Sequence, residues 1–204
     1  MPRYSPEHKT STRRRIVRCA ARLFRAKGYA GAGVEAVMRS AGLTHGGFYA
    51  HFRSKHALFA EAVRHAVLSS GATIEAGLDD AEPAAWLIEF VTRYLSDEHR
   101  RALRDGCPLP SLLAEVDRAP KTVKTAFLEA GQQRVASLAA RYAALGAAEP
   151  EAEAMATFSA LAGAMAMARA MPDAEDAERA MAATRERLIA RVQEFAGASG
   201  TGRR

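Results

Sequence analysis

The sequence predicts an all-α fold of about nine helices, three short ones followed by about six longer ones, and three observations carry that prediction. Apolar residues recur at three- and four-residue spacing along nearly all of the 204-residue chain, and no stretch alternates as a strand would. Glycine, proline, serine and threonine stand where that spacing breaks, as helix caps and stops require. The charge is divided: residues 1–65 hold thirteen Lys or Arg against Glu7, Glu35 and Glu61, a balance of +10, so the remainder carries −4 of the total of +6.

Taken in order, Ser5 followed by Pro6 suits an N-cap and a first helical position. Ile16, Ala20, Leu23 and Phe24 then share one face, ringed by arginines, up to a stop at Gly28. A second helix runs from Val34 to Ala41 and is closed by Gly42. A third starts at Thr44, whose hydroxyl can cap it, and ends near Phe52. Ser54 caps a fourth over residues 55–67, which joins the two parts of the chain without a Pro/Gly-rich linker. Residues 79–95 form the next, opened by acids and Pro83 and burying Trp86, Phe90 and Tyr94. Pro108 and Pro110 are tolerated only near a first turn, so "DGCPLPSLLAEV" (105–116) starts another. Residues 119–145 read as one long amphipathic helix. The last two, 150–171 and 172–197, carry stripes through Phe158, Leu161 and Met165 and through Met181, Leu188, Val192 and Phe195. The tail, 199–204, is expected to be disordered.

Composition narrows the function classes. Nearly half the residues are apolar and a quarter are charged, as in a soluble globular protein. No apolar run has membrane-spanning length, and the charged N-terminus lacks a signal-peptide core, so no membrane partner and a cytoplasmic location are expected. Two distant cysteines, Cys19 and Cys107, are too few for a disulfide framework or a thiolate zinc site. No histidine pair has H-E-x-x-H spacing and no nucleophile has a recognisable base and orienting acid. No metal, cofactor or enzymatic activity is therefore expected. "GAGVEA" (31–36) matches a dinucleotide fingerprint, but that motif needs a strand before it and an amphipathic helix stands there instead.

The informative stretch is "LTHGGFYAHF", residues 43–52, with two adjacent glycines in a helix. Glycine costs a helix interior about 1 kcal/mol relative to alanine, so stability does not explain Gly46 and Gly47. Two short helices joined by "SAGLT" match a helix-turn-helix, whose second helix enters the DNA major groove. Phe48 and Phe52, four apart, supply the inward face. A basic first third on an acidic body suits a polyanion-binding module, although such an imbalance is also what an ordinary solvated face shows.

Residues 13–59, and "GLTHGGFYAHFRSKHALF" above all, resemble the DNA-binding domain of the tetracycline-repressor (TetR) family. "GCPLPSLLAEV" resembles a motif in one branch of that family. The resemblance implies a DNA-binding domain over 1–54 and a ligand-binding and dimerisation domain over 55–204. It implies phosphate contacts at Thr44, Tyr49, His51 and Lys55, base-edge positions at His45, Gly46 and Gly47, and a helix-two start at Val34 and Glu35. Where the family usually has a capping Ser or Thr, this chain has Gly33 and Val34, leaving only backbone amides to meet phosphate. His56 stands where a Glu is usual. The implied partners are double-stranded operator DNA, a second copy of the chain and a small apolar effector that releases a repressor.

Trp86, Phe90, Tyr94, Cys107, Phe127 and Met165 are candidates to line the effector pocket, or simply to fill a core. Phe158, Ala162, Ala166, Leu188, Val192 and Phe195 are candidates for the dimer interface. Cys107 follows Arg100, Arg101 and Arg104, so an alternative reading makes it a thiol sensor of oxidants or electrophiles.

Overall fold

The computed structural model describes residues 6–201, and ten helices form among them. They are α1 (Pro6–Gly31), α2 (Val34–Ser40), a 3-10 helix η1 (His45–Ala50), α3 (Lys55–Glu75), α4 (Pro83–Tyr94), α5 (Asp97–Arg101), α6 (Leu109–Asp117), α7 (Lys121–Ala144), α8 (Pro150–Ala170) and α9 (Ala174–Thr201). No strand occurs among the described residues, so the all-α expectation holds.

Several boundaries differ from the expected ones. Gly28 (φ 71, ψ 174) kinks α1 and a last turn follows it, so the stop is a bend. The expected third α-helix is instead a six-residue 3-10 helix, and Thr44 makes no side-chain cap bond at its start. With two glycines near its start, that segment lacks the propensity to propagate α-helical bonding. α5 was not anticipated; its signal is Ser96, which accepts a hydrogen bond from the His99 N–H at 3.2 Å, followed by Asp97 and Glu98 at the N-terminal end. α9 runs on through Thr201 into the expected disordered tail. The Ser5 cap and residues 202–204 lie outside the described residues.

Two cores are packed against each other. The first holds Ile16, Phe24, Val37, Met38, Phe48 and Phe52, together with Leu58, Phe59 and Val63 of α3, and it is completed by Leu112, Val116 and Val123 of α6 and α7. The second gathers Trp86, Leu87, Phe90, Leu138, Tyr142, Leu161, Met165, Met181 and Val192. α3 serves both, with its first half in the N-terminal core and Val67 and Ile74 in the other. The expected division at 54/55 therefore falls just ahead of a helix that the two parts share.

Candidate nucleic-acid interface

α2 and η1 are joined by a tight turn whose chemistry is fixed by one glycine. Gly42 takes φ 68, the Gly42 N–H donates to the Arg39 carbonyl at 3.0 Å, and the Leu43 N–H donates to the Met38 carbonyl at 2.9 Å. These two bonds make a Schellman motif, which satisfies the last carbonyls of α2 and turns the chain into η1. α2 starts at Gly33, which has extended geometry and no side-chain cap; the Val37 N–H donates to its carbonyl at 3.1 Å. Val34 is half-buried at the first position, and Glu35 is exposed and paired with Arg39 at 2.9 Å.

η1 is held from behind. Phe48 and Phe52 are buried and stacked on each other at 5.7 Å, and burying each is worth roughly 2 kcal/mol. The outer face carries Thr44, His45, Gly46 and Tyr49, all exposed, with Tyr49 at 71%. The glycines are not required by the protein itself. Neither has a positive φ, a Cβ on Gly46 would meet nothing within 4 Å, and one on Gly47 would make only ordinary contact with Met38 at 3.6 Å. The packing around η1 gives no reason for Gly46.

Two residues stand at the rim of this face, and only Lys55 has its charged group engaged. The Lys55 ammonium donates to the Tyr29 carbonyl and lies 4.2 Å from the centroid of the Tyr29 ring. Burial lowers its pKa, against the opposing pull of Glu115. His51 is half-buried, its Nδ1 lacks a partner, and burial, followed by Lys9 and Arg13, lowers its pKa. Burial and the two neighbouring cations thus favour the neutral imidazole.

Arg13 escaped the sequence reading although it organises this end. Its guanidinium donates to the His51 carbonyl and to Glu61 and sits 4.1 Å over the Phe52 ring. The spacing signal was available: Arg13 falls on the α1 face next to Val17, one turn from the core stripe.

The remaining candidates sort differently. Phe90, Tyr94, Cys107 and Phe158 do come together, but the space between them is nearly filled, about 10 Å³. Trp86 stacks on Phe90 at 5.0 Å, Met165 is fully buried in the core, and Phe127 packs half-buried between the two cores. The Cys107 thiol is buried, and burial pushes its pKa up. Of the candidate interface residues, Val192 and Ala162 are buried in the chain's own second core, and Phe158, Leu188 and Phe195 pack half-buried against it. Val192 is fully buried and so unavailable to a partner; α8 instead presents Met155 and Met167, at 52% and 59% exposure, and the open Gly163.

A basic domain presenting a short helix across a Gly-closed turn is a helix-turn-helix module. Residues 16–62 match the family model of bacterial regulatory proteins, tetR family. Among solved structures the chain is similar to a TetR transcriptional regulator from Chloroflexus aurantiacus, at 25% identity and a TM-score of 0.71 over 88% of this chain and 95% of that one. It is similar to a TetR-family regulator from Cytophaga hutchinsonii, at 21% identity and a TM-score of 0.72 over 92% and 96%. It is also similar to the reduced form of E. coli NemR, at 20% identity and a TM-score of 0.68 over 85% and 95%. No curated protein matches in sequence. No helix among the described residues is long and apolar enough to cross a membrane.

Proposed function

We propose that the chain is a sequence-specific, cytoplasmic transcriptional regulator of the branch of the tetR family with a GCP motif, here Gly106–Pro108, and that it acts as a homodimeric repressor released from a palindromic operator by a small molecule. The observation that carries this reading is the outer face of η1, exposed and glycine-bearing on a basic module. His45 reads base edges while Gly46 and Gly47 let the backbone approach the groove floor. Thr44, Tyr49 and His51 contact phosphate, and Lys55 adds the hydrogens that Tyr29 does not use. The amides at Gly33, Val34 and Glu35 offer a further anion contact at the start of α2.

Dimerisation is assigned to α8 and α9, with the partner meeting the Met155, Gly163 and Met167 face of α8. Release then follows from rigid-body change in the separation of the two recognition helices, which requires an effector that binds the non-DNA conformation better. Effector binding is preferred over thiol sensing at Cys107, because a buried thiol with a raised pKa is a poor nucleophile.

Selection of bound fragments from genomic DNA, followed by salt titration on the selected and on random duplexes, tests the reading. Binding to both should weaken steeply with salt, with the selected duplex held far more tightly. Equal affinity for the two at every salt concentration would sink it.

A further inference from the structure

We propose that the effector occupies the cleft bounded by α3, α4, α5 and the 102–106 loop, that it is a cationic amine bearing an apolar ring, and that its binding is transmitted to α1 through the loop that holds Arg25. This rests on the reading above that a small molecule regulates the protein; it relocates the site and names the ligand's chemistry.

The first argument is room. About 10 Å³ remains among Phe90, Tyr94, Cys107 and Phe158, barely the space for one water. The cleft beside it encloses about 480 Å³, within the roughly 300–1,000 Å³ of small-molecule sites. The two spaces share the wall made by Ser70 and Ile74.

The second argument is the direction of hydrogen bonding on the cleft walls. Ser70 donates to the Val67 carbonyl at 3.2 Å, Thr73 to Ser69 at 3.0 Å, Thr92 to Ile88 at 2.8 Å and Ser96 to Arg93 at 2.8 Å. Each of the four hydroxyls donates to a backbone carbonyl three or four residues earlier, and the Ser96 oxygen also accepts the His99 N–H, so Ser70, Thr73 and Thr92 keep their oxygens as acceptors on this wall. The two basic side chains on the wall are committed. Arg93 holds Glu89 and the carbonyls of Ile74 and Ala76. His99 donates through Nδ1 to the Tyr94 carbonyl at 2.6 Å and accepts the Cys107 N–H at Nε2 at 2.8 Å, which fixes it as the neutral tautomer. Asp105 is shared with Arg22 and Arg25, whereas the Glu98 carboxylate makes no ion pair among the described residues. The walls therefore offer acceptors and one free negative charge, with Ile74 and Ala102 as apolar surface. An ammonium group supplies the donors and the charge this surface lacks, and an anion is repelled.

The third argument is the connection. Asp105 and Gly106 line the cleft, and both hold α1: Arg25 Nη1 donates to the Gly106 carbonyl at 3.2 Å, and Asp105 lies 3.9 Å from the same guanidinium. Arg25 is buried at 6% exposure and its Nε has no partner, so the charge is incompletely compensated. Burial pulls its pKa down to about 10. Gly106 is closely packed in this loop: a Cβ there would lie 2.7 Å from the Ala102 carbonyl oxygen. A cation in the cleft competes for Asp105, removes the countercharge of Arg25 and loosens α1 from the loop. The ligand thereby favours the state in which the recognition module has moved.

The experiment uses the full chain and three probes with one ring and different heads: 1-naphthylmethylamine, 1-naphthalenemethanol and 1-naphthoate. Calorimetry without DNA should show saturable binding of the amine, about fivefold tighter than the alcohol and more than about tenfold tighter than naphthoate. In Glu98→Gln the amine should lose its advantage over the alcohol, and in Ala102→Trp all binding should vanish while the melting temperature holds. Absence of saturable amine binding, equal or tighter binding of naphthoate, or an unchanged preference in Glu98→Gln overturns the site and its chemistry. On a selected operator duplex, the amine should lower DNA affinity in the wild type but not in Arg25→Gln, which should still bind the amine. An equal loss in both overturns the Arg25 route. If no duplex is bound specifically while the amine preference stands, the regulator reading fails and the binding site survives it.

Discussion

The N-terminal core borrows from its neighbour, and the C-terminal core does not return the loan. α2 and η1 have seven and six residues, too few to persist in water without packing. Their core is closed by Leu112, Val116 and Val123, which belong to α6 and α7. Polar ties run the same way: both oxygens of Glu115 on α6 accept the Tyr29 N–H at 2.8 Å, and the Gly106 carbonyl accepts from Arg25. The C-terminal core buries nothing that precedes Val67. A module that depends on the C-terminal helices for its own packing is open to control by them, since a shift in α6 or the 102–108 loop is felt at once in the first core.

Phe48→Ala should break this asymmetry most visibly. Loss of a fully buried ring from the smaller core should cost about 3–5 kcal/mol. Hydrogen exchange should then show opening of α1, α2 and η1 while α8 and α9 keep their protection; uniform loss across both cores would show that they unfold as one.

Gly28→Ala tests the tie itself. Its φ of 71 with ψ 174 is a region open essentially to glycine, and a Cβ would stand 2.7 Å from a Glu115 carboxylate oxygen. A destabilisation of about 2 kcal/mol is expected from backbone strain alone, read by chemical denaturation. Glu115→Gln should be milder, because it keeps an acceptor for Tyr29.

Acid should sharpen the comparison from the other side. Burial depresses the pKa of His99 below its ordinary 6.5, more than its bond to the Tyr94 carbonyl raises it. The unfolded chain takes up that proton first, so His99 contributes stability that is full above about pH 6.5 and is lost as pH falls. His51 and His65 are depressed in the same direction. Melting temperature should fall between pH 7.5 and 5.5, and His99→Gln should flatten part of that slope.

The smallest effect separates stability from function. Gly46→Ala meets nothing within 4 Å and should stabilise η1 by about 0.5–1 kcal/mol, yet weaken operator binding. His45→Ala should change which base pairs are preferred, whereas Lys55→Ala should weaken all duplexes alike, as judged from selected binding sites.

The sequence showed where helices lie, because glycine and proline punctuate it clearly: Gly42, Ser54 and Pro83 fall at the boundaries read from them. It also showed the outer and inner faces of residues 44–52, since Phe48 and Phe52 could only point one way. It could not show that η1 is a 3-10 helix, because over six residues the α and 3-10 patterns place the apolar residues at nearly the same spacing. Nor could it show the cleft or the hold of Arg25 on Gly106, 81 residues away, since neither periodicity nor spacing reports a contact between distant turns. Spacing puts Arg13 beside the core stripe of α1, but its seat over Phe52 is a tertiary fact.

The buried guanidinium of Arg25 has a consequence for engineering. A chimera cut at residue 54, joining this helix-turn-helix module to a foreign C-terminal domain, would strand that cation against a surface with no Gly106 carbonyl or Asp105 to receive it. Transplantable units in this architecture are therefore matched pairs: the first helix travels with the receiving loop, or the graft carries a charge it cannot house.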